Sequence, residues 1–348
     1  MSHAVFINRI GCAVPQFDFH RKFVEFGPCL LEGERDKQAF RRMADRSQIE
    51  HRYTCLCPSP DSSEIDSEGF YRRGAFADVD QRMARFDAEA ISLACKAVSR
   101  LSPHDFSHLV VATCTGFAAP GIDFQLLRAL GLPGTVERTV IGFMGCSAAI
   151  PALRFARHIV RSDRKARVLV LAIELCSLHL QESNRLDELL SSLLFADGCA
   201  ASIVSSEPSG LEMIDFGSAI LPDTSELITW RIGAPGFKMH LSGQVPASIR
   251  NHLPEALPVL LSGTERQHVT LWAVHPGGRT ILDAVERGLG IPAHALAMSR
   301  RVLRDYGNMS SATILFVLRE LLECGDAGRG CAMAFGPGIA AESMTFAA

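Results

Sequence analysis

The chain has 348 residues, of which 47% are hydrophobic and 21% are charged, a balance that is typical of packed globular proteins and excludes disorder. The formal net charge is -3 and no long basic run is present, so we expect no extended nucleic-acid surface. The N-terminus lacks the apolar stretch of a signal peptide, and no run reaches the roughly 20 apolar residues of a membrane span. We therefore expect a cytoplasmic protein without a membrane span.

Eleven cysteines are scattered through apolar segments, which in a large chain without an export signal predicts reduced thiols rather than a disulfide framework. The tightest pair is Cys55 and Cys57, and no second pair or nearby histidine completes a zinc-ligand pattern. We expect no metal site.

Short β-branched or aliphatic runs alternate with longer stretches of helical period, which predicts an α/β fold. In chain order the predicted elements are a helix over 84–101, a strand over 108–113, helices over 124–130 and 147–160, strands over 167–173 and 200–205, a helix over 246–260, a strand over 269–274, helices over 279–288 and 310–322, and a strand over 331–335.

Two segments resemble each other: GFMGCSAAIPALRFA and, much later, DYGNMSSATILFVL both lead through small residues into an apolar helix. This indicates an internal duplication, although glycine-, serine- and alanine-rich helix starts also arise by chance. The connection SEPSG at 206–210 then separates an N-terminal half, 1–206, from a C-terminal half, 207–348.

Cys146 is the candidate nucleophile. Gly145 permits a tight turn before it and small residues follow, which would place the thiol at a helix N-terminus, where the helix dipole favours a thiolate. A buried structural cysteine is the alternative, because free cysteine is among the most buried residue types.

His275 ends a predicted buried strand and precedes a Pro-Gly-Gly turn, which makes it the best histidine candidate, ahead of His179. Asn308 precedes a predicted helix, so it could act in a site or only cap that helix.

The sequence resembles the type III polyketide synthases, the chalcone synthase-like family, over nearly its whole length. Cys146 in GFMGCSAAIPAL, His275 in WAVHPGGRTILDAVE, Asn308 in DYGNMSSATILFVL and the late loop AFGPGIAAE are similar to its signature segments in the same order. This resemblance implies a thiolase-like layered αβαβα fold with two pseudo-duplicated halves, and a homodimer. It also implies malonyl-CoA and an acyl-CoA starter as substrates, with no cofactor.

By the same resemblance, Cys146 is the acylated nucleophile, and His275 and Asn308 face the thioester carbonyl. His275 would also keep Cys146 as a thiolate by charge pairing. Phe195 matches an aromatic gatekeeper, for which core packing is the alternative. Arg42 and Arg46 match basic residues at the mouth of the CoA tunnel. The remaining substrate-binding positions are Met239, Cys114, Thr115, Cys176, His179, Trp230, Ser310, Gly336, Pro337 and Gly338.

Some positions depart from the plant pattern. Met239 replaces a second gatekeeper phenylalanine, Trp230 stands in place of glycine, and Cys176 in place of threonine. These changes resemble bacterial members that release alkylpyrones or alkylresorcinols. Ala39 and Ala119 also replace larger residues, at a CoA position and at the dimer interface.

Three other functions are alternatives to this one. A carrier-protein-dependent β-ketoacyl synthase would share the Cys/His/Asn set, but its histidine segment differs from His-Pro-Gly-Gly. A catalytically silent thiolase-fold binding subunit need not keep all three residues. A generic cytosolic oxidoreductase is disfavoured because the sequence lacks a Gly-x-Gly-x-x-Gly turn after a strand with an acidic residue about 20 positions further on.

Overall fold

The computed structural model describes residues 3–102, 105–233 and 236–348. The first part of the chain forms β1 (Phe6–Ala13), β2 (Phe17–Asp18), α1 (His20–Phe26), α2 (Glu34–Arg46), β3 (Tyr53–Thr54), β4 (Tyr71–Arg72), β5 (Ala75–Phe76), α3 (Val79–Val98), β6 (His108–Thr113), α4 (Ile122–Ala129), β7 (Glu137–Gly142), α5 (Ala149–Ser162), β8 (Val168–Leu175), α6 (Leu186–Ser192) and β9 (Asp197–Ser205). The second part forms β10 (Leu211–Ile220), β11 (Ile228–Gly233), β12 (Gly236–Leu241), α7 (Val245–Leu260), β13 (Leu271–Val274), α8 (Arg279–Leu289), α9 (Ala297–Tyr306), α10 (Thr313–Cys324), β14 (Arg329–Gly336) and β15 (Ala340–Ala347).

In the described part of the chain, the main sheet has nine strands in the order β13-β14-β15-β10-β1-β9-β8-β6-β7. β6 pairs in parallel with β7 and β8, and β13 with β14, whereas the other neighbours are antiparallel. The N-terminal and C-terminal groups of strands meet where β1 pairs with β10, through Phe6↔Glu212 and Ile7↔Leu211. The sheet is therefore two groups of strands joined at a narrow seam.

Helices cover both faces of each group of strands. Alternate residues of a strand point to opposite faces of the sheet, so each buried strand contributes side chains to two helix layers. On β6, Leu109 and Val111 belong to a core shared with α3 and α4, whereas Val110 and Ala112 belong to a core shared with α5 and α10. On β14, the alternation separates Cys331 and Met333, which pack with α7 and α8, from Ala332 and Ala334, which pack with α5 and α10.

The helices α5 and α10 therefore form a central layer between the two strand groups. Residues 313–318 of α10 are buried on all sides, as expected of a helix enclosed by sheet on both faces. This arrangement confirms the predicted layered α/β fold.

All the elements predicted from the sequence are present, and all except β6 have shifted ends. The largest shift is at α3, which begins at Val79 because Asp78 and Gln81 form a reciprocal capping box, a start signal that the prediction overlooked. The elements that were not predicted are the strands β1, β2, β3, β4, β5, β7, β10, β11, β12 and β15 and the helices α1, α2, α6 and α9.

The predicted boundary at 206/207 lies in the connection between β9 and β10, and the division into two domains stays a prediction. Within the described ranges, every helix is too short or too polar to traverse a lipid bilayer.

Candidate active site

Cys146 lies in a single 3-10 turn, Gly145–Ser147, between β7 and α5. Gly145 has a φ of +58°, and a Cβ at this position would lie 2.6 Å from Cδ of Pro337. A Cβ on Gly336 would lie 2.7 Å from the carbonyl oxygen of Met144. Because neither glycine has room for a side chain, the turn that carries the thiol packs directly against the loop after β14.

Asn308 lies between α9 and α10, with its carboxamide next to Cys146. The Nδ2 and Oδ1 atoms are 4.0 Å and 3.9 Å from Sγ of Cys146. Oδ1 also accepts a hydrogen bond from the backbone N–H of Ser310 at 2.8 Å, and Nδ2 donates to the carbonyl of Gly277 at 3.4 Å. The side chain thus stabilises the local turn at Ser310 and presents its amide group to the sulfur. It does not cap α10, whose N-cap residue is Ala312 and lacks a side-chain hydrogen bond, and its role in the site stays a prediction.

His275 follows β13 directly, and its backbone N–H donates to the carbonyl of Met333 on β14 at 2.8 Å. The side chain is buried, and neither ring nitrogen has a hydrogen-bond partner among the described residues. His275 lines the same cavity as Cys146 and Asn308. The strand end, the cysteine turn and the segment before α10 therefore bring the three predicted catalytic side chains to one cavity.

Burial controls the charge of these groups. It raises the pKa of Cys146 to about 11, although hydrogen bonds from Ser310 and Asn308 act in the opposite direction, and it lowers the pKa of His275 to about 3. Burial thus favours the neutral form of both side chains, and among the described residues neither ring nitrogen of His275 has a hydrogen-bond partner. The thiolate and imidazolium pair expected from the sequence stays a prediction.

The cavity has a volume of about 1000 Å³, at the upper end of the roughly 300–1,000 Å³ typical of small-molecule sites. Its wall combines the three candidate catalytic residues with most of the substrate-binding positions predicted from the sequence. Those that line it are Phe195, Met239, Cys114, Thr115, Cys176, His179, Trp230, Ser310, Gly336 and Pro337.

Both halves of the sequence match one protein family. Residues 10–208 match the N-terminal domain of chalcone and stilbene synthases, and residues 213–348 match the C-terminal domain. The chain belongs to the chalcone and stilbene synthase family. It is a type III polyketide synthase and thus an acyltransferase.

Two curated relatives and one solved structure illustrate the similarity. The alpha-pyrone synthesis polyketide synthase-like Pks18 of Mycobacterium tuberculosis is 32% identical over 336 residues, which cover 91% of this chain and 84% of Pks18. Bisdemethoxycurcumin synthase of Oryza sativa subsp. japonica is 35% identical over 335 residues, covering 88% of this chain and 82% of the relative. The crystal structure of PKS-I from the brown alga Ectocarpus siliculosus superposes with a TM-score of 0.89 at 29% identity, covering 100% of this chain and 99% of that one.

The ribbon of β11 and β12 forms one wall of the polyketide synthase cavity. Trp230 pairs with Met239 across the ribbon, so their side chains lie on the same face. The indole N–H of Trp230 donates to the carbonyl of Cys114 at 2.9 Å, and Nε2 of His179 donates to the carbonyl of Thr115 at 2.7 Å. The two rings meet edge to face with centroids 5.5 Å apart. Together they fix the segment that follows β6.

A buried carboxyl group near the cysteine was not identified from the sequence. Glu174 on β8 accepts hydrogen bonds from the backbone N–H of Cys114 at 3.0 Å and from the hydroxyls of Thr115 at 2.8 Å and Ser311 at 2.5 Å. Burial raises the pKa of Glu174 to about 7, and its charge contributes to the raised pKa of Cys146. The sequence signal for this site was a glutamate within the apolar strand VLVLAIEL, because a carboxyl group that is buried in such a strand requires hydrogen-bond partners.

Basic side chains occur at the same cavity of this type III polyketide synthase. Arg46 at the end of α2 is exposed and lines the cavity, whereas Arg42, one turn earlier, is exposed and lies outside the lining. Lys238 and Arg279 also line the cavity, although the sequence had not indicated them. Gly338, with a φ of +63°, lies outside the lining and packs near Ser225.

Proposed function

We propose that this synthase transfers an acyl group from an acyl-CoA to Cys146 and extends it with two-carbon units from malonyl-CoA. One observation carries the proposal: Cys146 and Asn308 approach to about 4 Å, and His275 lines the same cavity of about 1000 Å³. A nucleophile and two polar groups in a water-poor pocket meet the requirements of thioester chemistry.

In the first step, the sulfur of Cys146 attacks the thioester carbon of the starter. The new C–S bond forms as the bond to the CoA sulfur breaks, and the thiol proton passes to the leaving CoA thiolate. Because His275 is neutral, one of its ring nitrogens can accept the proton as the attack proceeds and return it to the leaving group. This exchange requires no resident ion pair.

In the second step, malonyl-CoA loses carbon dioxide and leaves an enolate, whose negative charge lies largely on the thioester oxygen. The amide N–H of Asn308 and the ring N–H of His275 are the groups that we propose to hold this oxygen. The enolate carbon then attacks the acyl carbon on Cys146, so that the new C–C bond forms as the C–S bond to Cys146 breaks. The released thiolate takes up a proton from water and becomes the thiol again. Repetition and cyclisation give the product.

The predicted substrate-binding residues take their roles from this scheme. Phe195 is half-buried, and its backbone forms a β-bridge with that of Asn308. Its side chain would separate the CoA passage from the elongation space, and Met239 would form the opposite side of this gate. Arg46, with Arg42 nearby on the same helix, would meet the phosphates of CoA. No metal or tightly bound cofactor is required by these steps.

For the substrate class, we propose a long-chain acyl starter and an alkylpyrone or alkylresorcinol product. The support is the cavity volume, the flexible thioether of Met239, and the similarity to Pks18, which is described as an alpha-pyrone synthesis enzyme. Incubation with malonyl-CoA and a series of acyl-CoA starters of increasing length, with products identified by mass spectrometry, tests this. Exclusive use of short or aromatic starters would contradict the long-chain preference.

The same assay separates the alternatives. A carrier-protein-dependent synthase would require malonyl-carrier protein and stop after one condensation, whereas we expect turnover with malonyl-CoA and repeated extension. A silent binding subunit would give neither an acylated protein nor a product with either donor.

We further propose a homodimer in the cytoplasm. The apolar side chains of Phe117, Phe124 and Val140 are exposed at or near the edge strand β7, which is the kind of surface that a second copy covers. All eleven cysteines are free thiols, as a reducing compartment would keep them. Light scattering coupled to size-exclusion chromatography tests the dimer, and a monomeric mass would refute it.

A further inference from the structure

Arg52 is a completely buried arginine in the segment between α2 and β3. Its guanidinium carbon lies 4.4 Å from the ring centre of Phe19 and 4.8 Å from that of Phe23, and both rings line the active-site cavity. Its Nε donates to Nδ1 of His20 at 3.0 Å. Among the described residues no carboxylate lies within ion-pair distance of Arg52, and Asp18 and Asp197 stabilise its charge only over a longer range. The hydrogen bonds of this buried guanidinium all go to uncharged groups, so the charge is costly to place there for stability alone.

The main hydrogen bonds of Arg52 go to the segment that carries Phe195. Nη1 donates to the carbonyl of Ser192 at 2.8 Å and to the carbonyl of Phe195 at 2.7 Å. One nitrogen thus links Ser192, the last residue of α6, to Phe195, which lies two residues before the start of β9. Truncation of the side chain would leave both carbonyls without this charged donor.

The Phe195 segment in turn holds Asn308. The backbone N–H of Asn308 donates to the carbonyl of Leu194 at 2.9 Å, and the N–H of Ala196 donates to the carbonyl of Asn308 at 2.9 Å. Arg52 also contacts the other side of this pairing, because a Cβ on Gly307 would lie 2.7 Å from Cγ of Arg52. Arg52 therefore touches both backbone segments of the bridge that places Asn308.

Cys146 is held by different contacts. Its turn packs against Gly336 and Pro337, and the backbone N–H of Gly145 donates to Sγ of Cys114 at 3.1 Å. None of these contacts passes through Arg52. Loss of Arg52 should consequently displace Asn308 and Phe195 more than it displaces the nucleophile.

We propose that Arg52 is a positioning residue for decarboxylation: it clamps the Phe195 segment against Asn308 and so sets the donor that holds the enolate oxygen. The inference rests on the proposed function, since it assigns Arg52 to one of the two steps described above. A misplacement of about 1 Å can cost on the order of 100-fold in rate, so the effect of Arg52 should be measurable in that step.

The two steps can be measured separately. Malonyl-CoA alone reports decarboxylation, through formation of acetyl-CoA and carbon dioxide after the enolate takes up a proton. A starter acyl-CoA alone reports acylation of Cys146, through the intact mass of the protein. Rates are expressed per folded protein for the parent chain, Arg52→Met, Arg52→Lys and the control Arg157→Met. Arg157 is a comparably buried arginine on α5 that donates to the carbonyl of Ile214 and lies outside the cavity.

For Arg52→Met we expect decarboxylation to fall roughly 30- to 100-fold while acylation changes less than about threefold. Arg52→Lys keeps a charged donor and should recover part of the loss, and Arg157→Met should leave the ratio of the two rates at the parent value. Equal losses in both steps, or a ratio unchanged in Arg52→Met, would overturn the proposal. If Arg52→Met does not fold, the ratio in Arg52→Lys decides by the same criterion. A parent chain that performs neither step would instead refute the proposed function.

Discussion

Replacing Gly145 by alanine should separate backbone strain from steric contact at the turn that carries the nucleophile. Gly145 and Gly290 have the same φ, +58°, but their surroundings differ. A Cβ on Gly145 would lie 2.6 Å from Cδ and 3.0 Å from Cγ of Pro337, whereas no atom of the described residues lies within 4 Å of a Cβ on Gly290. Gly290→Ala is therefore a matched control that carries the backbone strain without the contact.

The two costs can be worked out separately. An alanine in the left-handed region costs roughly 1–2 kcal/mol, and this applies to both variants. The contact with the rigid ring of Pro337 adds about 1–3 kcal/mol of overpacking at Gly145. We therefore expect the free energy of unfolding to fall by about 1–2 kcal/mol in Gly290→Ala and by roughly 2–5 kcal/mol in Gly145→Ala.

Gly145→Ala and Gly290→Ala should differ more in acylation rate than in the free energy of unfolding. If the turn yields to the new methyl group, Cys146 moves, and acylation by a starter acyl-CoA should fall on the order of 100-fold in Gly145→Ala. Gly290→Ala should acylate at the parent rate. Urea denaturation and intact-mass kinetics measure the two quantities. Equal urea midpoints and equal acylation rates in the two variants would show that contact with Pro337 does not constrain the turn.

Three further predictions concern the cavity. Cys146→Ala should keep the fold and lose covalent acyl loading, and an acylated variant detected by intact mass would refute the role of this thiol. Burial raises the pKa of Glu174 from 4.5 to about 7, so its contribution to stability is full below pH 4.5 and is lost as the pH rises through 7, a span worth about 3 kcal/mol. Glu174→Gln should thus show a smaller decline in urea midpoint between pH 5 and pH 8 than the parent, and an equal decline would contradict this reasoning. Trp230→Ala should open the ribbon wall and shift products toward longer chains, and an unchanged product distribution in the mass spectrum would show that the indole does not limit the cavity.

The sequence predicts the elements with strong local signals. β6 and β8 are dense apolar runs, and α10 carries a helical apolar pattern, so their positions follow from periodicity. β1 contains Asn8 and Arg9, which interrupt the apolar pattern, and its strand conformation depends on pairing with β9 and β10. Such a strand is defined by its neighbours in the sheet rather than by its own residues.

The candidate active site likewise combines features that have a local sequence signal with features that depend on distant parts of the chain. Local motifs made Cys146, His275 and Asn308 candidates, because their glycines and strand ends carry a local meaning. The choice between catalytic and structural roles came from the resemblance to the type III polyketide synthases. Their charges were not predictable, because the pKa values of Cys146 and His275 depend on how completely three distant segments enclose them. The hydrogen bonds that surround Glu174 and Arg52 likewise join residues that are far apart in the chain, so no local pattern indicates them.

The pairing of Trp230 with Met239 restricts how this enzyme can change its chain-length preference during evolution. Adjacent residues of a strand point in opposite directions, so deletion of one residue ahead of Trp230 would turn the indole outward and present a neighbour such as Arg231 to the acyl chain. A substitution that leaves the strand length unchanged keeps the same positions facing the cavity. Insertion or deletion of two residues does so as well, because side chains alternate between the two faces of a strand. Related synthases with different products should therefore differ in this ribbon by substitution or by even-numbered length changes.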